Sequence, residues 1–261
     1  MSLSTTFSDT LTQCLATSGI TVECVEVTGS TNDDLKTLIR TVGLRGPILR
    51  TSRRQTAGRG TRGKTWKTPT EALLFSIALP LVTHGDERAR LPIVVGISVA
   101  ETLNRFGYPV QLKWPNDLWI VGGKTGGILC EHVNGCAVIG IGINLAADPD
   151  HTTQGWPVRS LRDAGPAMRA DSSRAAELLA ALTTELLAAL QAFPMTPVAF
   201  LPGLWRAVDA FWRRKLLVRD TEAGALLQGT ARGINEEGAL LLDTVDGLKI
   251  IRNGSLCPLE T

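Results

Sequence analysis

Four short apolar runs, Val110 to Trp114, Leu118 to Val121, Gly127 to His132 and Ala137 to Ile143, follow one another with little between them but Gly, Pro, Asn and Asp. Runs of that length bounded by those residues read as strands and turns, so this part of the chain is a strand-and-turn meander. Upstream, Ala72 to Leu79 is a continuous apolar run of strand length and hence a buried strand. Thr21 to Val27 and Pro47 to Ser52 are further strands, while residues 7–18, Leu91 to Phe106, Ser172 to Phe193 and Phe200 to Phe211 read as helices. Gly29-Ser30-Thr31-Asn32-Asp33-Asp34 is a strand-to-helix turn in which Ser30 or Thr31 can serve as N-cap, with acidic residues in the first turn. The Asp148–Pro166 stretch is polar and loop-like.

From Arg213 the texture changes. Lys215–Arg219, Leu226–Ile234, Gly238–Asp243 and Leu248–Ile251 are short strands split by Gly and acidic turns, the pattern of a small all-β barrel of about fifty residues. A length of 261 residues with 44% hydrophobic composition is enough for one large and one small core, and the boundary falls between residues 1–211 and 212–261.

The formal net charge is only +2, which excludes a generic polyanion binder. The cations are unevenly placed. Arg50, Arg53, Arg54, Arg59, Arg62, Lys64 and Lys67 fall in one stretch without an Asp or Glu, so an anionic ligand is expected at one place. Five scattered cysteines with no CxxC pair argue against a disulfide framework or structural zinc, and His84, His132 and His151 form no ligand pattern. With no basic-then-apolar N-terminus and no uninterrupted apolar stretch near ~20 residues, a soluble cytoplasmic protein without membrane association is expected.

Four segments carry chemistry. Gln55-Thr-Ala-Gly58-Arg59-Gly60-Thr61-Arg62-Gly63-Lys64-Thr65-Trp66 alternates glycines with cations, so backbone amides and guanidinium groups can approach a phosphate; it also reads as a loop that is mobile when empty. The blander reading is a solvated basic loop. Lys113-Trp114-Pro115-Asn116-Asp117 ends an apolar strand; its Asn-Asp pair suits a turn, but a lysine in that apolar setting is harder to explain as one. In Gly122-Gly123-Lys124-Thr125-Gly126-Gly127-Ile128-Leu129 a lysine sits between glycine pairs just before a buried strand. Ile139-Gly-Ile-Gly142-Ile-Asn144-Leu145 places glycines on one strand face, leaving room for a flat ligand against the sheet.

In this order, with Ser30-Thr31-Asn32 ahead of them, the segments resemble the catalytic domain of biotin–protein ligases, over roughly residues 22–150. That family's loop runs Gly-Arg-Gly-Arg-Arg-Gly-Arg, then Trp, followed by Lys-Trp-Pro-Asn-Asp, Gly-Lys-x-x-Gly-Ile-Leu-x-Glu and a Gly-x-Gly-x-Asn strand. The resemblance implies an α+β fold, with a mixed or mostly antiparallel sheet flanked by helices, a ligand on its open face and a C-terminal SH3-like barrel. It implies ATP, biotin and Mg²⁺ as substrates and cofactor, and the biotin-carrier domain of a carboxylase as acceptor; a homodimer is plausible by the same resemblance. Lys124, Arg59 and Lys113 would be the catalytic cations. Ser30, Thr31, Asn32, Gln55, Gly58, Arg59, Gly60, Lys124, Gly127 and Gly142 would hold biotin, and Arg62, Gly63, Lys64, Trp66, Asn116 and Asn144 the ATP or adenylate, with Asp117 on magnesium.

Two departures stand out. Thr61 and Lys64 replace arginines of the family loop, which should loosen its grip on an anionic adenylate. A basic residue that the family places near its C-terminus has only Arg252 as candidate, in a chain ending Leu259-Glu260-Thr261. About twenty residues precede the first strand, too few for a three-helix DNA-binding module, so the expectation is a single-function ligase that does not bind DNA. The rivals are a lipoate–protein ligase, which the glycine-arginine loop and Lys-Trp-Pro-Asn-Asp disfavour, and a non-catalytic nucleotide-binding regulator.

Overall fold

The computed structural model describes residues 5–66, 71–147, 152–153 and 155–259; Lys67, His151, Glu260 and Thr261 lie outside them. In chain order the first part comprises α1 (Thr5–Cys14), β1 (Thr21–Thr28), α2 (Thr31–Thr41), β2 (Ile48–Gln55), β3 (Glu71–Pro80), α3 (Asp86–Arg105), β4 (Gln111–Lys113), β5 (Asp117–Ile120), β6 (Gly123–Val133) and β7 (Cys136–Ala146). All seven strands join one sheet in the order β1-β2-β3-β7-β6-β5-β4. The β1–β2 pair is parallel and the remaining pairs are antiparallel, so the sheet is mixed. The meander read from the sequence is the β4-β5-β6-β7 half of it.

Between the sheet and the C-terminal part come β8 (Thr152–Thr153), β9 (Trp156–Pro157), α4 (Ser173–Ala192) and α5 (Leu201–Val208). The short β8–β9 pair lies inside the stretch expected to be loop; two-residue strands leave no periodicity to detect. Helix α3 starts five residues before the expected Leu91, because its first turn is polar. Asp86 and Glu87 suit the positive end of the helix dipole, and Glu87 accepts from the His84 amide at 2.9 Å. Helix α4 is long and apolar enough to cross a membrane by length and composition. Here Leu178, Leu179, Leu182 and Leu186 are buried in the core shared with α1 and α3.

The two faces of the sheet have different fates, and this is what makes a site. On β7, Ile139, Ile141, Ile143 and Leu145 point into the main core under α1, α3 and α4. Strand alternation sends Val138, Gly140, Gly142 and Asn144 to the opposite face. There α2 packs Leu35 and Ile39 into a small apolar cluster with Ala78, Val133, Cys136 and Val138. Beyond Val138 the same face carries two glycines and an asparagine, so the sheet is left open where α2 begins.

The C-terminal part consists of β10 (Lys215–Asp220), β11 (Ala225–Ile234), β12 (Leu240–Thr244), β13 (Gly247–Ile251) and β14 (Gly254–Cys257). They form an antiparallel sheet in the order β13-β12-β11-β10-β14. Strand β14 was not expected: it is only four residues long and pairs with Leu217–Asp220 of β10. The C-terminal part is tied to the rest of the chain by Trp114 Nε1, which donates to Gly238 O at 3.0 Å, and by Trp156 Nε1 of β9, which donates to Leu256 O at 3.2 Å.

Candidate active site

A cavity of about 880 Å³ opens on the α2 face of the large sheet. One end is a row of hydroxyls and amides. The Ser76 hydroxyl donates to Asn32 Oδ1 at 2.5 Å and shares a 2.7 Å hydrogen bond with Thr31 Oγ1. Gln55 Oε1 accepts from the Thr31 amide at 2.8 Å, and Asn32 Nδ2 donates to Glu131 Oε2 at 2.9 Å. Ser30 occupies the N-cap position of α2 in extended conformation, yet its side chain makes no capping bond. The expected cap is thus absent, and both Ser30 and Thr31 face the cavity instead. Ser76 was missed in the sequence because it lies within the apolar run of β3; a lone hydroxyl in a fully buried strand was the signal.

The expectation of a flat ligand laid against the β7 glycines needs correction. A Cβ at Gly140 would strike Asn32 Oδ1, and one at Gly142 would sit 2.8 Å from the Trp66 ring. The space those glycines leave is taken by the protein's own Asn32 and Trp66. Gly127 does the same on β6, where an added Cβ would meet Trp66 at 3.3 Å. Gly127 and Gly142 still line the cavity, but they act by letting Trp66 sink to the sheet.

The basic loop folds back on itself. Gly60 N donates to Lys64 O at 2.7 Å and Trp66 N donates to Gly58 O at 2.9 Å, closing a small hairpin whose turn holds Arg62 and Gly63 at φ of 58° and 73°. Arg62 also donates to Gly254 O of β14 at 3.2 Å. Arg59, expected at the reacting atoms, is instead ion-paired with Asp33 of α2 and half exposed at the cavity rim. Gly60, Arg62, Lys64 and Trp66 line the cavity, whereas Gly58 and Gly63 line only a smaller recess that shares Gly60, Arg62 and Lys64 with it.

At the far end three charges come together. Lys113 ends β4 and is the cross-strand partner of Asp117, which opens β5. Lys113 Nζ lies 2.6 Å from Asp117 Oδ2, and Lys124 Nζ, from β6, lies 2.5 Å from Asp117 Oδ1. Burial pushes the Asp117 carboxyl up, but the two ammonium groups outweigh it and hold it below the usual carboxylate range. Burial lowers the Lys64 ammonium below its ordinary range, and repulsion from Lys124 and Arg62 lowers it further. Lys124 Nζ also stands 5.8 Å from the centre of the Trp66 ring. Asn116 was expected toward the triphosphate; its Nδ2 is committed to Ile128 O at 2.8 Å, while Ile128 N donates back to Asn116 O. Asn144 Nδ2 donates to Arg159 O at 2.9 Å, and its Oδ1 is buried with no hydrogen-bond partner among the described residues. A buried orphan acceptor beside a cavity calls for a ligand donor.

The donor set does not fit a protein-held magnesium ion. Both Asp117 oxygens are engaged by lysines, and among the described residues no group of three or more His, Cys, Asp or Glu could hold a metal.

A family model described as "Biotin/lipoate A/B protein ligase family" matches residues 24–148, which span the loop, both lysines and the β7 glycines. This region of the chain is similar to that family. The chain is 36% identical to the bifunctional ligase/repressor BirA of Escherichia coli over 74% of this chain and 60% of that protein, so it spans about three-fifths of that relative's length. It is 29% identical to the biotin–[acetyl-CoA-carboxylase] ligase of Paracoccus denitrificans, over 80% of this chain and 89% of that one. Among solved structures, the biotin protein ligase of Aquifex aeolicus in complex with biotin and ATP matches 92% of this chain and 99% of that chain, with a TM-score of 0.75 at 23% identity. At that identity the match shows the fold, the mixed sheet flanked by helices.

Proposed function

We propose that the chain is a biotin–protein ligase that converts biotin and ATP to biotinyl-AMP and pyrophosphate, then passes the acyl group to a lysine of a biotin-carrier domain. The observation that carries this reading is the single cavity with a hydrogen-bonding row at one end and the paired ammonium groups of Lys113 and Lys124 at the other. The row at Ser30, Thr31, Asn32 and Gln55 suits the donors and acceptors of a ureido ring. A dithiolane ring has no such groups, which disfavours lipoate. The biotin carboxylate then reaches the lysines. One of its oxygens attacks the α-phosphorus, the bond to the β-phosphate oxygen breaks, and pyrophosphate leaves.

Lys124 and Lys113 stabilise the charge that develops on the phosphoryl oxygens and leaving group. Asn144 Oδ1 accepts from the exocyclic amine of adenine, and Trp66 walls that part of the cavity. In the second step the acceptor's amine attacks the acyl carbon and AMP leaves, so no Ser, Cys or His nucleophile of this chain is needed. Arg59 acts through Asp33, as a tie between the loop and α2. Magnesium, where the reaction uses it, belongs to the triphosphate of the incoming nucleotide, and no step here runs through it. Residues 1–211 form the catalytic unit and 212–261 a small domain beside the loop. The five free cysteines suit a reducing cytoplasm. Pyrophosphate release from ATP is measured in parallel with biotin, lipoate or no acid. Release with biotin alone is expected; release with lipoate alone, or with neither, refutes the reading.

A further inference from the structure

We propose that Asp117 is a positioning residue that holds Lys113 and Lys124 as one pre-assembled pair, and that it is not a ligand of magnesium. This rests on reading the cavity as an acyl-adenylate site. The three side chains are 3%, 8% and 16% exposed for Lys113, Asp117 and Lys124, and each carboxylate oxygen takes one ammonium, at 2.6 and 2.5 Å. A magnesium ion binds carboxylate oxygen at roughly 2.0–2.1 Å and keeps near-octahedral geometry, so it would have to displace an ammonium from its only described counter-ion. It would do so in a place where Lys124, Arg62 and Lys113 already repel the nearby Lys64 ammonium.

The backbone holds Asp117 in place. Asn116 and Ile128 exchange hydrogen bonds, and the neighbouring Trp114 is anchored to Gly238 of the second sheet. Lys124 is fixed from the other side, since its carbonyl accepts from the Arg159 amide at 2.8 Å. Without a carboxylate between them, two ammonium groups this close would repel and turn apart. With it, each spends one of its three N–H donors on Asp117 and keeps the others for an incoming carboxylate or phosphate.

The test is a magnesium titration of biotin-dependent pyrophosphate release by wild type, Asp117→Asn and Asp117→Glu. The expected result for Asp117→Asn is a kcat lower by about 100-fold, the loss that follows a misplacement near 1 Å, with half-saturating magnesium within twofold of wild type. Asp117→Glu is expected to recover part of the rate. A tenfold rise in half-saturating magnesium, with the rate restored at high magnesium, overturns the proposal, as does a wild-type kcat in Asp117→Asn. Should Asp117→Asn fail to fold, Mn²⁺ binding to the nucleotide-free wild type, followed by electron paramagnetic resonance, decides instead. No stoichiometric site is expected, and a stoichiometric one overturns the proposal. A wild type silent with biotin refutes the functional reading, and the Mn²⁺ result still decides the part of Asp117.

Discussion

Gly142→Ala places a methyl group 2.8 Å from one Trp66 ring carbon and 2.9 Å from the next. Carbon atoms pack best at about 3.5–4.0 Å, so the indole must retreat from 2.8 Å by roughly 0.7 Å or more. The ring cannot retreat freely, because Gly127 and Lys124 border it and its backbone is tied to Gly58. Overpacking of this kind costs about 1–3 kcal/mol. The only atoms within 4 Å of the new methyl among its three nearest belong to Trp66, so the cost should vanish with the ring. A double-mutant cycle with Trp66→Ala, read by urea unfolding with biotin-dependent pyrophosphate release alongside, measures this directly. The expected coupling is at least ~1 kcal/mol, and the KM for ATP should rise in the single variant more than that for biotin. Equal destabilisation by Gly142→Ala in both backgrounds refutes the reasoning, since the methyl would then be felt by something other than Trp66.

Three further outcomes are expected. Val121, a β-branched residue at φ of 45° beside Gly122 in the β5–β6 turn, should be improved by Val121→Asn, with about 1 kcal/mol gained and a Tm rise of a few degrees; calorimetry showing a fall would contradict this. Thr61→Arg adds a guanidinium to a loop that lines the cavity and should slow release of biotinyl-AMP from the enzyme, so equal release rates in a rapid-filtration assay would sink the idea. Asn144→Ala removes the orphan acceptor and should weaken ATP binding by up to about tenfold while biotin binding moves little, as isothermal titration can show.

How legible the site was depends on whether its parts are local. The lysine motifs and the glycine-basic loop each sit within a few residues, so the motifs that carry the family resemblance marked Lys113, Lys124, Arg62 and Lys64, and all four line the cavity. What stayed hidden is pairwise and long-range. Nothing near Asp117 in sequence says that Lys124, seven positions on, closes its second oxygen, and so a lone carboxylate read as a metal ligand. Likewise Gly140 read as room for a ligand, because its occupant, Asn32, comes from the first turn of α2, over a hundred positions away. Arg59 was expected at the reacting atoms by the family resemblance, while its partner Asp33 lies on the same distant helix.

These long-range fillings explain why glycine, rather than any small residue, is required on the open face of β7. Val138, one alternation earlier, supports the apolar side of α2 and belongs to a dry core. At Gly140 the same helix turns polar, and its Asn32 must approach the strand closely enough to bond Ser76 on β3 and Glu131 on β6 at once. A side chain at residue 140 would break that bridge; one at 142 would lift Trp66 off the sheet and toward Lys124. The hydrogen-bonding end of the cavity and its Trp66 wall are therefore seated on the same strand, two residues apart, while the paired lysines beside that wall stand on β4 and β6.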